Sequence, residues 1–93
     1  MNEKIKFLLI VDCVFHISGR DVVVTGEVLK GQIKTGDELE VRSADKVIKT
    51  KCTRLEKYRN VITEANERDF IGVYLANVSK SDLARGMHVV IPN

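Results

Sequence analysis

Two glycines in the segment "GQIKTGDEL" have the spacing of a phosphate-binding loop. Gly31 and Gly36 match the glycines of G-x-x-x-x-G, but the next two positions hold Asp37 and Glu38 where the motif requires Lys and then Ser or Thr. Two carboxylates repel a triphosphate, and the following "LEVRS" alternates like a strand where the motif needs a helix. We therefore interpret Gly31 and Gly36 as turn residues, because glycine reaches positive φ at little steric cost.

The remaining residues with chemical potential do not form a catalytic or metal-binding pattern. His16 and His88 are the only imidazoles, and neither has a metal-ligand partner at strand or helix spacing. Cys13 and Cys52 are too few for a disulfide framework or a zinc cluster, so we interpret both as free, buried thiols. The loose D-x-x-G match at 69–72 lies inside a predicted strand. We expect no enzymatic activity, no cofactor and no metal.

The length and charge of the chain limit the classes of protein to which it can belong. Its 93 residues, 44% of them apolar, predict a single folded domain over 1–93. A net charge of +2 does not by itself indicate nucleic acid as a partner. No run approaches the roughly 18 apolar residues of a membrane span, and Asp12 interrupts the apolar N-terminal run before a secretory signal forms. We expect a cytoplasmic protein without a membrane partner.

Positive charge is concentrated in one segment. Between Asp45 and Arg59 there are six basic residues and two acidic ones. A binding surface and a solvated strand face that discourages edge pairing are both consistent with this pattern. Tyr58 could provide a stacking platform for a base or a sugar. The basic residues of this segment are Lys46, Lys49, Lys51, Arg54, Lys57 and Arg59.

The elements that must position these side chains are predominantly strands. Six runs rich in branched and aromatic residues are separated by Gly, Asn and Asp turns, and only Ser79–Gly86 suggests a short helical turn, with Ser81 as its cap. Without a long amphipathic helix, the pattern favours an all-β barrel or sandwich. Val at Gly26 or Gly72 should damage folding through steric conflict inside a small barrel. The six runs are "KIKFLLIVDCVF", "RDVVVTGEVLKG", "DELEVRS", "DKVIKTKCTRLEKYR", "DFIGVYLANV" and "MHVVIP".

The order of these segments resembles the second domain of elongation factor Tu and related translational GTPases, from Phe7 to Pro92. The resemblance is carried by "VFHISGRDVVVTGEVLKGQIKTGDELEV", "CTRLEKYR", "EANERDFIGVYL" and "VSKSDLARGM". It implies an all-β fold, a six-stranded antiparallel Greek-key β-barrel. The GTPase motifs G-x-x-x-x-G-K-[ST] and N-K-x-D do not occur in the 93 residues, so we expect a barrel that stands alone and does not hydrolyse GTP.

The resemblance also implies a role in holding the 3′ end of aminoacyl-tRNA. Glu56 would accept a hydrogen bond from the terminal ribose, and Arg85 would lie near the tRNA 5′ end. Arg20 matches a position that faces the GTPase domain, and the neighbouring Asp21 replaces a family glycine. The residues implied to border the terminal adenosine and aminoacyl pocket are Phe15, His16, Ile17 and Phe70.

Three departures from the family pattern bear on the partner. Asp21 adds a carboxylate beside Arg20, Glu27 stands where Arg is common, and Phe70 stands where Asn is common. The implied partner is tRNA or ribosomal RNA, bound weakly by an isolated barrel. The alternative is a protein partner, such as a GTPase domain acting in trans, on the surface around Arg20 and Asp21.

Overall fold

The computed structural model describes residues 4–17 and 19–93, and all regular structure in this part of the chain is β-strand apart from one 3₁₀ turn at Lys80–Asp82. No helix in the described residues is long and apolar enough to cross a membrane. The strands are β1 (Ile5–Ile10), β2 (Cys13–His16), β3 (Val22–Gly31), β4 (Ile33–Lys34), β5 (Glu38–Arg42), β6 (Val47–Lys57), β7 (Asn60–Ile62), β8 (Glu64–Ala65), β9 (Phe70–Leu75) and β10 (His88–Pro92).

Six of the described strands close into a barrel. The order is β1-β10-β5-β6-β9-β3, every pairing is antiparallel, and β3 returns to pair with β1. β5, β6 and β9 form a meander, and the earlier β3 lies beside β9, which is the Greek-key arrangement. The predicted fold class, an all-β six-stranded antiparallel Greek-key barrel, is confirmed.

The barrel interior is filled by alternate residues of each strand. In β3, for example, Val22, Val24 and Val28 join one continuous core cluster, whereas Glu27 and Leu29 point outward and are exposed. Phe7 and Leu9 of β1 are fully buried in the same cluster. β2 and β7 lie outside the closed ring, because β2 pairs with β3 and β7 with β6.

The first predicted strand is wrong as a single element, because β1 pairs with both β10 and β3, whereas β2 keeps only the pairing with β3 among the described strands. The Val11 amide donates to the Met87 carbonyl at 2.9 Å, whereas the Asp12 amide donates to the Thr25 carbonyl at 2.7 Å. β2 therefore extends the ladder beyond the barrel ring, and Cys13 is exposed on it. The predicted burial is wrong for Cys13 and confirmed for Cys52.

A bulge in β6 decides which side chains reach the outer surface. The register with β9 shifts between Cys52 and Arg54. Cys52 and Leu55 are buried, whereas Thr53 is exposed and Arg54 is half-buried, so two consecutive residues point outward. Glu56 then follows Arg54 on the same outer face.

The glycines have different roles from one another. Gly31 and Gly36 have φ of +76° and +97°, which confirms that these positions need the left-handed conformation. A Cβ on Gly26 would lie 2.3 Å from the Ile10 carbonyl oxygen, so close approach of β1 requires glycine there. Gly72 is on the outer face, where a Cβ would meet the Val23 side chain at 3.3 Å and the Thr25 side chain at 3.9 Å, so the predicted conflict inside the barrel is wrong for Gly72.

The predicted helical turn is shorter than expected and begins earlier. Lys80–Asp82 forms one 3₁₀ turn with Ser79, not Ser81, as its N-cap. The Asp82 carboxylate accepts a hydrogen bond from the Ser79 amide at 3.3 Å. The turn is preceded by Asn77 with φ of 56° and is followed by extended backbone at Leu83, so no α-helix can propagate.

Candidate functional site

The outer face of strands β2, β3, β9 and β6 brings several predicted residues together. Gly72 of β9 is paired with Thr25 of β3 on one side and with Glu56 of β6 on the other. Paired residues share one face of an antiparallel sheet, so the missing Gly72 side chain leaves a depression between its neighbours. Val23 lies two residues before Thr25 on the same face of β3 and is paired with Phe15 of β2. Its side chain would lie 3.3 Å from a Cβ added to Gly72.

This depression is the floor of a surface cavity that we call the aromatic hollow. Its volume is about 280 Å³, close to the lower limit of about 300 Å³ for small-molecule pockets. Phe15 and Phe70 are each about half exposed at its rim, and Tyr58 is 83% exposed. The aromatic hollow is lined by Phe15, Ile17, Val23, Thr25, Glu56, Tyr58, Arg59, Phe70, Ile71, Gly72 and Tyr74.

A tight hairpin carries Tyr58 and Arg59 to the rim. Lys57 of β6 is paired with Asn60 of β7, so only these two residues form the turn, and their φ values are 51° and 66°. Two positive φ values are typical of a type I′ turn, which favours Asn and Gly over Tyr and Arg. Strained conformations of this kind concentrate at functional sites. The turn therefore marks Tyr58 and Arg59 as candidate ligand contacts.

An ion pair holds the base of this hairpin. The Lys57 Nζ lies 2.7 Å from the Asp69 carboxylate, next to the start of β9. The Asn66 amide and then the Lys57 ammonium lower the pKa of the Asp69 carboxyl group, and the same carboxylate raises the pKa of Lys57. Lys57 also lies 5.7 Å from the Tyr58 ring centroid. The basic charge of Lys57 is thus compensated inside the protein.

The Glu56 carboxylate is held by two neighbours. The Tyr74 hydroxyl donates to Oε1 at 2.9 Å, and the Arg54 guanidinium lies 3.0 Å from Oε2. The Arg54 guanidinium also lies 5.4 Å from the Tyr74 ring centroid. Burial and then the hydrogen bond to Glu56 raise the pKa of the Tyr74 hydroxyl. Because a carboxylate has about four acceptor sites, Glu56 can accept a further hydrogen bond from a ligand in the aromatic hollow.

A second cavity, which we call the arginine hollow, lies between the loop after β2 and the bulge of β6. The exposed Arg20 has no ion-pair partner among residues 4–17 and 19–93. The neighbouring Asp21 carboxylate is not in an ion pair with Arg20 and instead accepts a hydrogen bond from the Thr53 hydroxyl at 2.6 Å. The arginine hollow is lined by His16, Gly19, Arg20, Asp21, Thr53, Arg54 and Tyr74.

Arg85 lies on the other side of Phe70 from Glu56. It is 82% exposed in its side chain, and its guanidinium is 3.6 Å from the Asp12 carboxylate. It shares a third cavity with Phe70, Glu27 and Leu29. Phe70 therefore borders both this cavity and the aromatic hollow, so the structure brings Phe15, Ile17, Glu56 and Phe70 into one cavity and places His16 and Arg85 in two others.

The basic residues of β6 do not form one uncompensated surface. Arg54 and Lys57 are in ion pairs. Lys49 and Lys51 are exposed, but they are paired across the sheet with Glu40 and Glu38 of β5. Lys46 and Arg59 are exposed at opposite ends of the strand. Positive potential along β6 is consequently reduced by neighbouring carboxylates.

The contacts of Arg54 and Tyr74 with Glu56 were not predicted from the sequence. One signal was available, since Arg54 and Glu56 are two residues apart in a predicted strand and so share a face. Tyr74 is a second signal, because it adds a hydroxyl to the otherwise apolar run of β9. The sequence does not say which strand pairs with β6, so it could not join the two signals.

Comparison with protein families identifies the barrel. The family model for elongation factor Tu domain 2 matches residues 21–90, which is most of the chain and includes strands β3 to β9. The match agrees with the closed antiparallel barrel described above. On this basis the chain belongs to the elongation factor Tu domain 2 family.

Proposed function

We propose that this chain is a non-catalytic RNA-binding module that takes the 3′-terminal nucleoside of a tRNA into the aromatic hollow. The observation that carries this proposal is the position of Glu56, which lies in a small cavity whose rim is formed by Phe15, Tyr58 and Phe70. Aromatic rings stack on any base, and a carboxylate accepts hydrogen bonds from the ribose hydroxyls. Membership of the translation-factor barrel family supports the same ligand class.

The held position of Glu56 suits this task. Tyr74 and Arg54 occupy one lone pair on each carboxylate oxygen and restrict the side chain to one orientation. A ligand hydroxyl then meets an acceptor that is already ordered, so little side-chain entropy is lost on binding. The strained Tyr58–Arg59 turn likewise fixes an aromatic ring and a guanidinium at the rim before the ligand arrives.

Affinity for the tRNA body should be low. Of the six basic residues that the sequence concentrates near β6, two are in ion pairs and two face carboxylates across the sheet. Few phosphates can therefore be neutralised, and we expect binding to have a shallow salt dependence. Recognition then depends mainly on the terminal nucleoside.

A protein partner is the second candidate. Ile17 and Val61 are 49% and 61% exposed, and Ile17 lines the aromatic hollow with Phe15. Exposed apolar patches of this kind mark interaction surfaces. A GTPase domain supplied by another chain would cover such a patch, together with the nearby Arg20 and Asp21.

The test is an amide NMR titration with aminoacylated tRNA, deacylated tRNA and ribosomal RNA fragments, each at low and moderate salt. We expect shifts confined to Phe15, Glu56 and Phe70 that survive moderate salt with tRNA. The variant Glu56→Gln should weaken binding, while Glu38→Gln, which removes the same charge from β5, should not. Diffuse shifts that vanish with salt for every RNA would contradict the proposal and favour the protein partner.

A further inference from the structure

The arginine hollow contains positive groups that the protein itself does not fully use. Arg20 is exposed, and among residues 4–17 and 19–93 it has no carboxylate partner. Among the described residues, the lining contains one carboxylate, that of Asp21, and one of its oxygens accepts the Thr53 hydroxyl at 2.6 Å. His16 is exposed in the same cavity, and its imidazole N–H is a further donor. The hollow thus offers two guanidinium groups and an imidazole to an anion.

Arg54 connects this cavity to the aromatic hollow. It lines the arginine hollow, and one terminal nitrogen lies 3.0 Å from Glu56 of the aromatic hollow. Its Nε is buried and has no hydrogen-bond acceptor in the described part of the chain. A buried donor without an acceptor is unfavourable, so the present pairing satisfies only part of the guanidinium. Tyr74 lines both cavities and packs against the same guanidinium.

We propose that the arginine hollow is a phosphate-binding site, and that the phosphate it takes belongs to the nucleotide whose ribose contacts Glu56. This inference rests on the proposed function and adds the chemical class of a second group on the same ligand. Arg20 and Arg54 grip the phosphate oxygens, for which the planar guanidinium is well suited because it donates two parallel hydrogen bonds. Arg54 stands between the two subsites, next to the Glu56 carboxylate on one side and the phosphate on the other.

The cavity favours an oxyanion such as phosphate over a monatomic anion for a geometric reason. Two guanidinium groups approach it from different elements, Arg20 from the loop after β2 and Arg54 from the bulge of β6. A tetrahedral oxyanion can accept from both directions at once, whereas chloride provides no oxygen for a bidentate contact. The Asp21 carboxylate limits affinity, so a bare anion binds weakly and a phosphate joined to a bound ribose gains from the second contact.

The first experiment tests the phosphate site alone. The full chain is titrated with inorganic phosphate at constant ionic strength, and backbone amides and arginine Nε–H signals are followed by NMR. We expect saturable shifts at Gly19, Arg20 and Thr53 and at the Arg54 Nε–H, with at least fivefold weaker binding in Arg20→Gln. Lys51→Gln removes the same charge from exposed β6 surface and should leave the response unchanged. Absent, diffuse or variant-independent shifts overturn the phosphate site.

The second experiment tests whether phosphate and ribose belong to one ligand. Adenosine, AMP and the trinucleotide CCA are compared in wild type, Arg20→Gln and Lys51→Gln. We expect AMP to bind at least fivefold more tightly than adenosine, with the advantage lost in Arg20→Gln and adenosine affinity unchanged. Adenosine binding without a gain for AMP would overturn this inference and leave the proposed function in place. Saturable phosphate binding with no response to adenosine, AMP or CCA would overturn the shared ligand and the proposed function together.

Discussion

Substitution of Gly26 by Ala tests how the barrel is closed. The added Cβ would lie 2.3 Å from the Ile10 carbonyl oxygen and 2.9 Å from Leu9 Cδ2, both shorter than the 3.4 Å at which ordinary contact begins, the first by about 1 Å. Backbone cannot rotate away as a side chain can, so β1 and β3 must separate where their pairing closes the ring. Overpacking of this kind costs about 1–3 kcal/mol, and the backbone clash places the cost near the upper value.

The assay is urea unfolding followed by circular dichroism, together with a thermal melt. A loss of about 3 kcal/mol corresponds to a fall in Tm of roughly 12 °C or more for a domain of this size. Gly72→Ala is the matched control, because its Cβ would meet side-chain methyl groups instead of backbone, Val23 Cγ1 at 3.3 Å and Thr25 Cγ2 at 3.9 Å. We expect Gly72→Ala to stay within about 1 kcal/mol of wild type, since Ala also reduces the chain entropy lost on folding. Equal stability of the two variants would refute the close approach of β1 to Gly26.

Three further predictions concern single side chains. Burial and the hydrogen bond to Glu56 raise the pKa of Tyr74, so Glu56→Ala should lower it. A pKa that is raised in the folded state contributes stability that is lost at alkaline pH, so the variant should lose less stability than wild type above the ordinary tyrosine value of 10.0. A tyrosinate absorbance titration and alkaline unfolding curves check this. Cys13 is exposed and should react with a thiol reagent in the native protein. Burial raises the pKa of Cys52 to about 11 and should protect Cys52 until the protein unfolds. Rapid reaction of two thiols per native chain would contradict the structure. Arg59→Gly should raise stability by about 1 kcal/mol by relieving a φ of 66°, and a less stable variant would mean that the turn is not strained.

The strand content was predictable because local chemistry carries it. Branched residues at alternate positions, as in β3, and turn glycines such as Gly36 indicate strands and their ends without knowledge of partners. The break at Asp12 was not predictable, since both sides of it are equally extended and only the loss of the pairing with β10 divides β1 from β2. The bulge between Cys52 and Arg54 is hidden for a similar reason, because it is a property of the pairing with β9 and not of β6 alone.

The residues of the candidate site could likewise be predicted only in part. Motif resemblance named Phe15, Ile17, Glu56 and Phe70, because their spacing from the turn glycines is a one-dimensional property of the chain. It could not assign the contacts of Arg54 and Tyr74, which are twenty residues apart and meet only because β6 pairs with β9. The side chain of His16 illustrates the converse, since adjacency to Phe15 in the motif did not place it in the aromatic hollow.

By itself, therefore, the amino-acid sequence determined that this chain is all-β with turns at glycines such as Gly31 and Gly36, because strand propensity and turn chemistry act over a few residues. Only the tertiary structure decided which charges are free to act. In the sequence Lys57 and Arg54 look alike as cations, but the fold sets Asp69 2.7 Å from Lys57 and Glu56 3.0 Å from Arg54. Lys57 is thereby compensated, whereas Arg54 keeps a buried Nε without an acceptor in the described part of the chain and also lines the arginine hollow. Electrostatic compensation depends on distance in space, and strand pairing sets that distance.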